Sequence, residues 1–177
     1  LIFGLTLGMM PATAFAANAS ETWGDYAATD FAGGSGTKED PYQIATAEQL
    51  AKLASEVNSH VVGKTHANEY FKLIASIDLS APIGYGNSSN ASSFNGYFDG
   101  NHQTIIGLNV DERGNNTDAG LFGAVSVATN EPVLKDLTIE NATIYAGDET
   151  DDGTLQYGAG VLVGSITLLG GSSAKYA

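Results

Sequence analysis

The chain has 177 residues, enough for one domain with a real core, since domains commonly run to roughly 100–150 residues. Acidic residues outnumber basic ones 20 to 7, a formal charge of −13, so a nucleic-acid phosphate backbone is repelled and not neutralised. Cysteine is absent, which excludes disulfides, thiolate metal sites and thiol nucleophiles. Twenty-two glycines among many Asn, Ser and Thr residues point to an all-β chain dense in turns, because glycine takes positive φ without steric cost.

Residues 1–16 are apolar and uncharged, break at Pro11, and offer small residues at Ala14 and Ala16 around Phe15. This pattern predicts a secretory signal lacking its basic n-region, and the apolar run is shorter than the roughly 20 residues that span a bilayer. Residues 17–40 scatter Trp23, Tyr26 and Phe31 without a period and read as a linker. Thr46 stands three residues before Gln49, and Leu50, Leu53 and Val57 follow at helical spacing. These features predict a capped amphipathic helix over 46–58, with Glu48 in its first turn complementing the dipole.

Beyond the helix the period changes to two. Short apolar runs at 70–73, 77–79, 94–98, 105–110, 121–127, 133–139 and 161–166 recur at intervals of very roughly 20–30 residues. Two internal echoes accompany them. Ala119 to Gly123 returns as Gly160 to Gly164, and Ile106 to Val110 returns as Lys135 to Ile139. Stacked coils of a solenoid explain such recurrence, because each coil buries its inward side chains against its neighbours. A β-sandwich is the competing arrangement, but its strands usually repeat every 8–12 residues with tight hairpins. The expected organisation is therefore 1–16 signal, 17–40 linker and 41–177 the start of a repetitive β-domain. The ending GGSSAKYA shows no capping pattern, which gives the expectation of an N-terminal portion of a longer exported protein.

The ordered motifs carry a resemblance. Gly120-Leu121-Phe122-Gly123 has the Gly-Leu-apolar-Gly form, and Val161-Leu162-Val163-Gly164 repeats it with Val161 in place of the first glycine. Before them come Gly36 to Ile44, the Thr46 helix, Phe71-Lys72-Leu73, Ile77-Asp78-Leu79, and Phe94-x-Gly96-x-Phe98-Asp99-Gly100. Over about 33–166 the chain resembles secreted bacterial surface proteins carrying the GLUG motif. The resemblance implies a right-handed parallel β-helix entered through a helical cap, in exported and often adhesin-like proteins. It brings no catalytic set.

Several polar residues that could carry chemistry also suit turns. Asp99, Asn101 and His102 lie close together, but a metal or acid/base site needs further converging ligands, and His60 and His66 sit near the helix end. Asp-Gly-Asn is a natural corner, so a turn is the expected reading. The run Asp148 to Gly153 begins like a calcium loop, but Ala159 stands where the bidentate glutamate belongs, which removes a complete EF-hand. Asp78, Asp99, Asp136 and Glu140 lie near expected strands, and Arg113, the sole arginine, lies in a loop. No active site follows from their spacing; a polysaccharide-degrading enzyme whose active site lies downstream is the alternative reading. Tyr85, Tyr97 and Tyr145 could stack on sugars but more often fill a core or corner. The sequons at Asn18, Asn87, Asn90, Asn115 and Asn141 are read as turn composition. No cofactor and no nucleic acid is expected. The expected partner is an extracellular glycan or protein surface, and the mature portion is expected to lack a membrane span.

Overall fold

The computed structural model describes residues 23–59, 66–79, 93–112, 118–127, 133–145 and 158–168. They form nine strands and one α-helix, preceded by a 3₁₀ turn at Trp23–Tyr26. The strands are β1 (Tyr42–Ile44), β2 (Tyr70–Leu73), β3 (Ile77–Asp78), β4 (Tyr97–Ile106) and β5 (Asn109–Asp111), followed by β6 (Phe122–Val127), β7 (Leu134–Glu140), β8 (Thr143–Tyr145) and β9 (Val163–Leu168). The chain is thus predominantly β. Every pairing between these strands is parallel. The signal expected over 1–16, His60, Tyr85, Arg113, the acidic run 148–153 and the sequons at Asn18, Asn87, Asn90 and Asn115 lie outside the described residues.

The helix α1 (Ala47–Asn58) starts where its cap predicts. Thr46 is extended, and its hydroxyl accepts from the Gln49 N–H at 3.4 Å. The return bond of the capping box is displaced by one residue, since Gln49 Oε1 accepts from Ala45 N at 2.8 Å. Ala47, Leu50, Ala51, Leu53 and Val57 are buried, so the apolar stripe faces the core and the charged side chains remain outside.

Three sheets carry the remaining architecture. In the largest, β1 pairs with β2, β2 and β3 pair with successive parts of β4, and β7 pairs with β4 along most of its length. Separate pairs join β5 to β8 and β6 to β9. Register keeps like residues together: Ile44 meets Leu73, Phe71 meets Phe98, Ile105 lies between Ile77 and Ile139, and Val125 meets Ile166. Alternation turns these side chains to one face. Phe98 touches Phe122 with ring centroids 5.3 Å apart, and Phe94 touches both Phe71 and Phe122, so the core runs continuously between sheets. Each fully buried phenylalanine contributes about 1.5–3 kcal/mol of transfer free energy.

Two readings of the sequence need revision. The described part of the expected linker is packed and bonded: Ala28 N donates to Glu48 O, Gly33 bridges Gln43, and Phe31 lies against Tyr42 and Phe71. The second echo is out of register, because Ile106 pairs with Glu140 and Val110 with Ile144. Any two strands alternating between apolar and polar residues resemble each other under several shifts. The corner expected at Asp99 to His102 is present within the span of β4, where Asn101 and His102 are left-handed and the pairing with β7 shifts between Asp99 and Gln103.

Candidate functional site

The outward face of the large sheet holds the polar cluster read as a turn. Asp99 Oδ1 accepts from Asn101 N at 2.8 Å, and Asn101 and His102 both adopt left-handed φ, 50° and 57°. The Asn101 amide donates to Leu73 O at 3.0 Å, tying the corner to β2. Lys135 Nζ lies 2.8 Å from Asp99 and 3.4 Å from Asp136. Burial pulls the Asp99 carboxyl upward. Hydrogen bonds from Lys135 and the Asn101 N–H, with the charges of Lys135 and Lys72, outweigh burial and hold the carboxyl below its ordinary value. The hydrogen bond to Asp99, foremost, raises Lys135. His102 is exposed here. Along the same strands Asp78 and Glu140 both register with Ile106 on opposite edges of β4. Beside the charged row, Tyr70 and Tyr97 stack at 4.3 Å with rings 5° from parallel. Tyr145, on β8, is 45 % exposed.

The motif glycines mark close backbone approach. A Cβ on Gly100 would lie 2.5 Å from Asp136 O and 2.6 Å from Leu137 Cα. The first echo is in register through its strand, with Phe122 opposite Val163 and Gly123 facing Gly164, whose Cβ would meet Gly123 O at 2.7 Å. It slips by one residue at its start, where Ala119 bridges Ala159. Gly120 is also crowded, by Gly160 O at 2.5 Å, while Leu121 donates to Val161 O and Phe122 to Leu162 O. Gly96 faces the carbonyls of His66 and Glu69, each 2.8 Å from where its Cβ would be, and Phe98 is core. Asp118, just before the motif, accepts from Gly158 N at 2.7 Å and from Ser165 Oγ, joining the two copies by a side chain.

A cleft of about 400 Å³ opens between α1, β1 and the residues before β2. Its floor is buried His66, whose Nε2 lies 3.1 Å from Glu56 and whose Nδ1 contacts Glu69. Lys52 Nζ lies 2.9 Å from Glu56 and 5.1 Å above the Phe31 ring. Asp30, Tyr42 and the backbone at Gly33 and Gly34 complete the lining. His66 also meets Phe71 edge-on at 5.1 Å. The structure thus sends His66 to this cleft and His102 to the exposed sheet face. Sequence reading missed the cleft because its residues meet only when the helix docks on the sheet. The signal within reach was Lys52, Glu56, His66 and Glu69, polar residues clustered around one helix end. Among the described residues no group of three or more His, Cys, Asp or Glu side chains is placed to hold a metal ion, and no helix is long and apolar enough to cross a membrane.

Two curated proteins are similar to this chain. Halomucin of Haloquadratum walsbyi is 35% identical over 141 residues, covering 70% of this chain and 1% of halomucin. A protein named as a Gly-rich membrane protein, from Evansella cellulosilytica, is 30% identical over 143 residues, covering 77% of this chain and 14% of that protein. The chain therefore spans only a small share of either relative's length. No protein-family model and no solved structure matches it.

Proposed function

We propose that the chain is a non-catalytic module of an exported surface protein, structural or adhesive in role, built as a right-handed parallel β-helix of the GLUG type. The observation that carries this reading is the order of pairing: β4, β5 and β6 meet β7, β8 and β9 one to one and in sequence, as one coil lies on the next. Coils stacked this way extend a lateral face without needing a reactive centre. The names of the relatives, a halomucin and a membrane protein, support a surface location, and a small share of a much longer protein suits a repeated module. Its expected ligand is a glycan or protein surface outside the cell. Protease treatment of intact source cells, followed by antibody detection of residues 41–177, tests the location. Loss of the signal without lysis is expected; protection until lysis refutes it.

A second reading, an enzyme acting on polysaccharide, is favoured by the cleft, where Asp30, Glu56 and Glu69 line one depression. Paired carboxylates are what glycoside hydrolysis requires. Against it, Glu56 and Glu69 both contact the His66 ring and Glu56 also pairs with Lys52, so both carboxylates already have side-chain partners. Incubation with a panel of neutral and acidic polysaccharides should release no reducing ends; turnover abolished by Glu69→Gln would establish the enzyme instead.

A further inference from the structure

The cleft beside α1 selects among ligand chemistries. It presents hydrogen-bonding groups of both kinds, since the carboxylates of Asp30 and Glu69 accept whereas Lys52 donates, with the Tyr42 ring supplying apolar surface. An anion would face three carboxylates in a chain of net charge −13, and is disfavoured. An organic amine would compete for a place already taken, because the Lys52 ammonium sits over Phe31 and against Glu56. Neighbouring hydroxyls on a sugar ring donate and accept at once, and the C–H face of the ring suits an aromatic surface. A volume of about 400 Å³ lies toward the lower end of the roughly 300–1,000 Å³ common for small-molecule sites.

We infer that this cleft binds a neutral saccharide of one or two pyranose units. Asp30, which is exposed, and Glu69, with its side chain 37% exposed, accept from the sugar hydroxyls. Glu56 and His66 are fixed by each other and by Lys52, and so hold the wall in place before a ligand arrives. Preorganisation of this kind lowers the ordering cost of binding. The inference rests on the adhesive reading and gives its glycan ligand a place: the helix–sheet junction, apart from the Tyr70–Tyr97 stack on the outer face.

Titration of the 177-residue chain with cellobiose and maltose, followed by calorimetry and amide chemical-shift mapping, tests it, with digalacturonate and spermidine as charged comparators. At least one neutral disaccharide should bind, with shifts at Asp30–Gly34, Tyr42 and Glu69. Asp30→Ala should weaken it about tenfold by removing a charge-assisted hydrogen bond. Glu69→Gln serves as a second variant should Asp30→Ala melt early, and Lys135→Met on the outer face should leave affinity unchanged. The inference is overturned by no binding of either neutral sugar, by preference for digalacturonate or spermidine, or by shifts confined to the Tyr70–Tyr97 face. None of these outcomes alters the protease-accessibility result, so the surface reading stands or falls separately.

Discussion

Replacing Gly100 by alanine adds one methyl group where the backbones of β4 and β7 come close together. Its Cβ would sit 2.5 Å from Asp136 O and 2.6 Å from Leu137 Cα, and both are backbone atoms that no rotamer change can move aside. Relief requires the strands to separate locally, loosening the adjoining Phe98–Leu134 and Gln103–Leu137 pairings. Overpacking of this kind costs about 1–3 kcal/mol, and a backbone obstacle places it in the upper half of that range. For a chain of this size each kcal/mol lowers Tm by about 2–4 °C, so a fall of about 4–12 °C is expected by circular dichroism. Gly33→Ala is the matched control, since its Cβ would meet only the Gln43 side chain, at 3.5 Å, and should change Tm by no more than about 2–4 °C. Equal melting of the two variants would refute close backbone contact as the reason for glycine at this position.

Three further outcomes are expected. Lys135→Met should lower stability by about 0–1 kcal/mol near neutral pH, because the Lys135 side chain is 44% exposed and solvent screens the pair. The folded Asp99 value lies below the unfolded one, so its contribution holds above about pH 4 and is lost as pH falls through the folded value. Lys135 is raised, so its contribution is full below about pH 10.4 and is lost as pH rises through the folded value; melting curves of the two proteins should converge at both extremes. Asp118→Ala leaves the Gly158 N–H and Ser165 hydroxyl without this acceptor, and should cost about 1–3 kcal/mol, with faster amide exchange concentrated in β6 and β9. Leu50→Ala empties a core position that is 3% exposed and should cost about 2–5 kcal/mol in chemical denaturation; a loss below 1 kcal/mol would show that α1 is not docked on the sheet.

Local chemistry made α1 legible, because a capping threonine and an apolar stripe act within a few residues. The apolar runs at 70–73, 94–98, 105–110 and 121–127 likewise supply the buried Phe71, Phe98, Ile105 and Val125, and the Phe122–Val163 correspondence survived into the register. The second echo failed because a period of two specifies a face but not a partner. Phe31 was passed over since it stands among Ala, Gly and Asp with no period, and its contacts with Tyr42, His66 and Phe71 depend on chain closure. The cleft was illegible for the same reason. What is shared among Asp30, Lys52, Glu56 and Glu69 is a place in space, and no spacing rule encodes it.

Parallel pairing has a consequence for the order in which the molecule assembles. A two-residue hairpin can nucleate an antiparallel pair, but each parallel pair must first close the chain between its strands, at an entropic cost that grows slowly with loop length. Between β1 and β2 much of that span is α1, which forms its own hydrogen bonds and brings Leu50 and Leu53 against the same core as Ile44 and Leu73. Between β6 and β9 the span is longer and must already hold β7 and β8 in place. Assembly should therefore start at the helical end and finish at β9. Pulse-labelled exchange during refolding should show the amides of α1 and β2 protected before those of Val163 to Leu168.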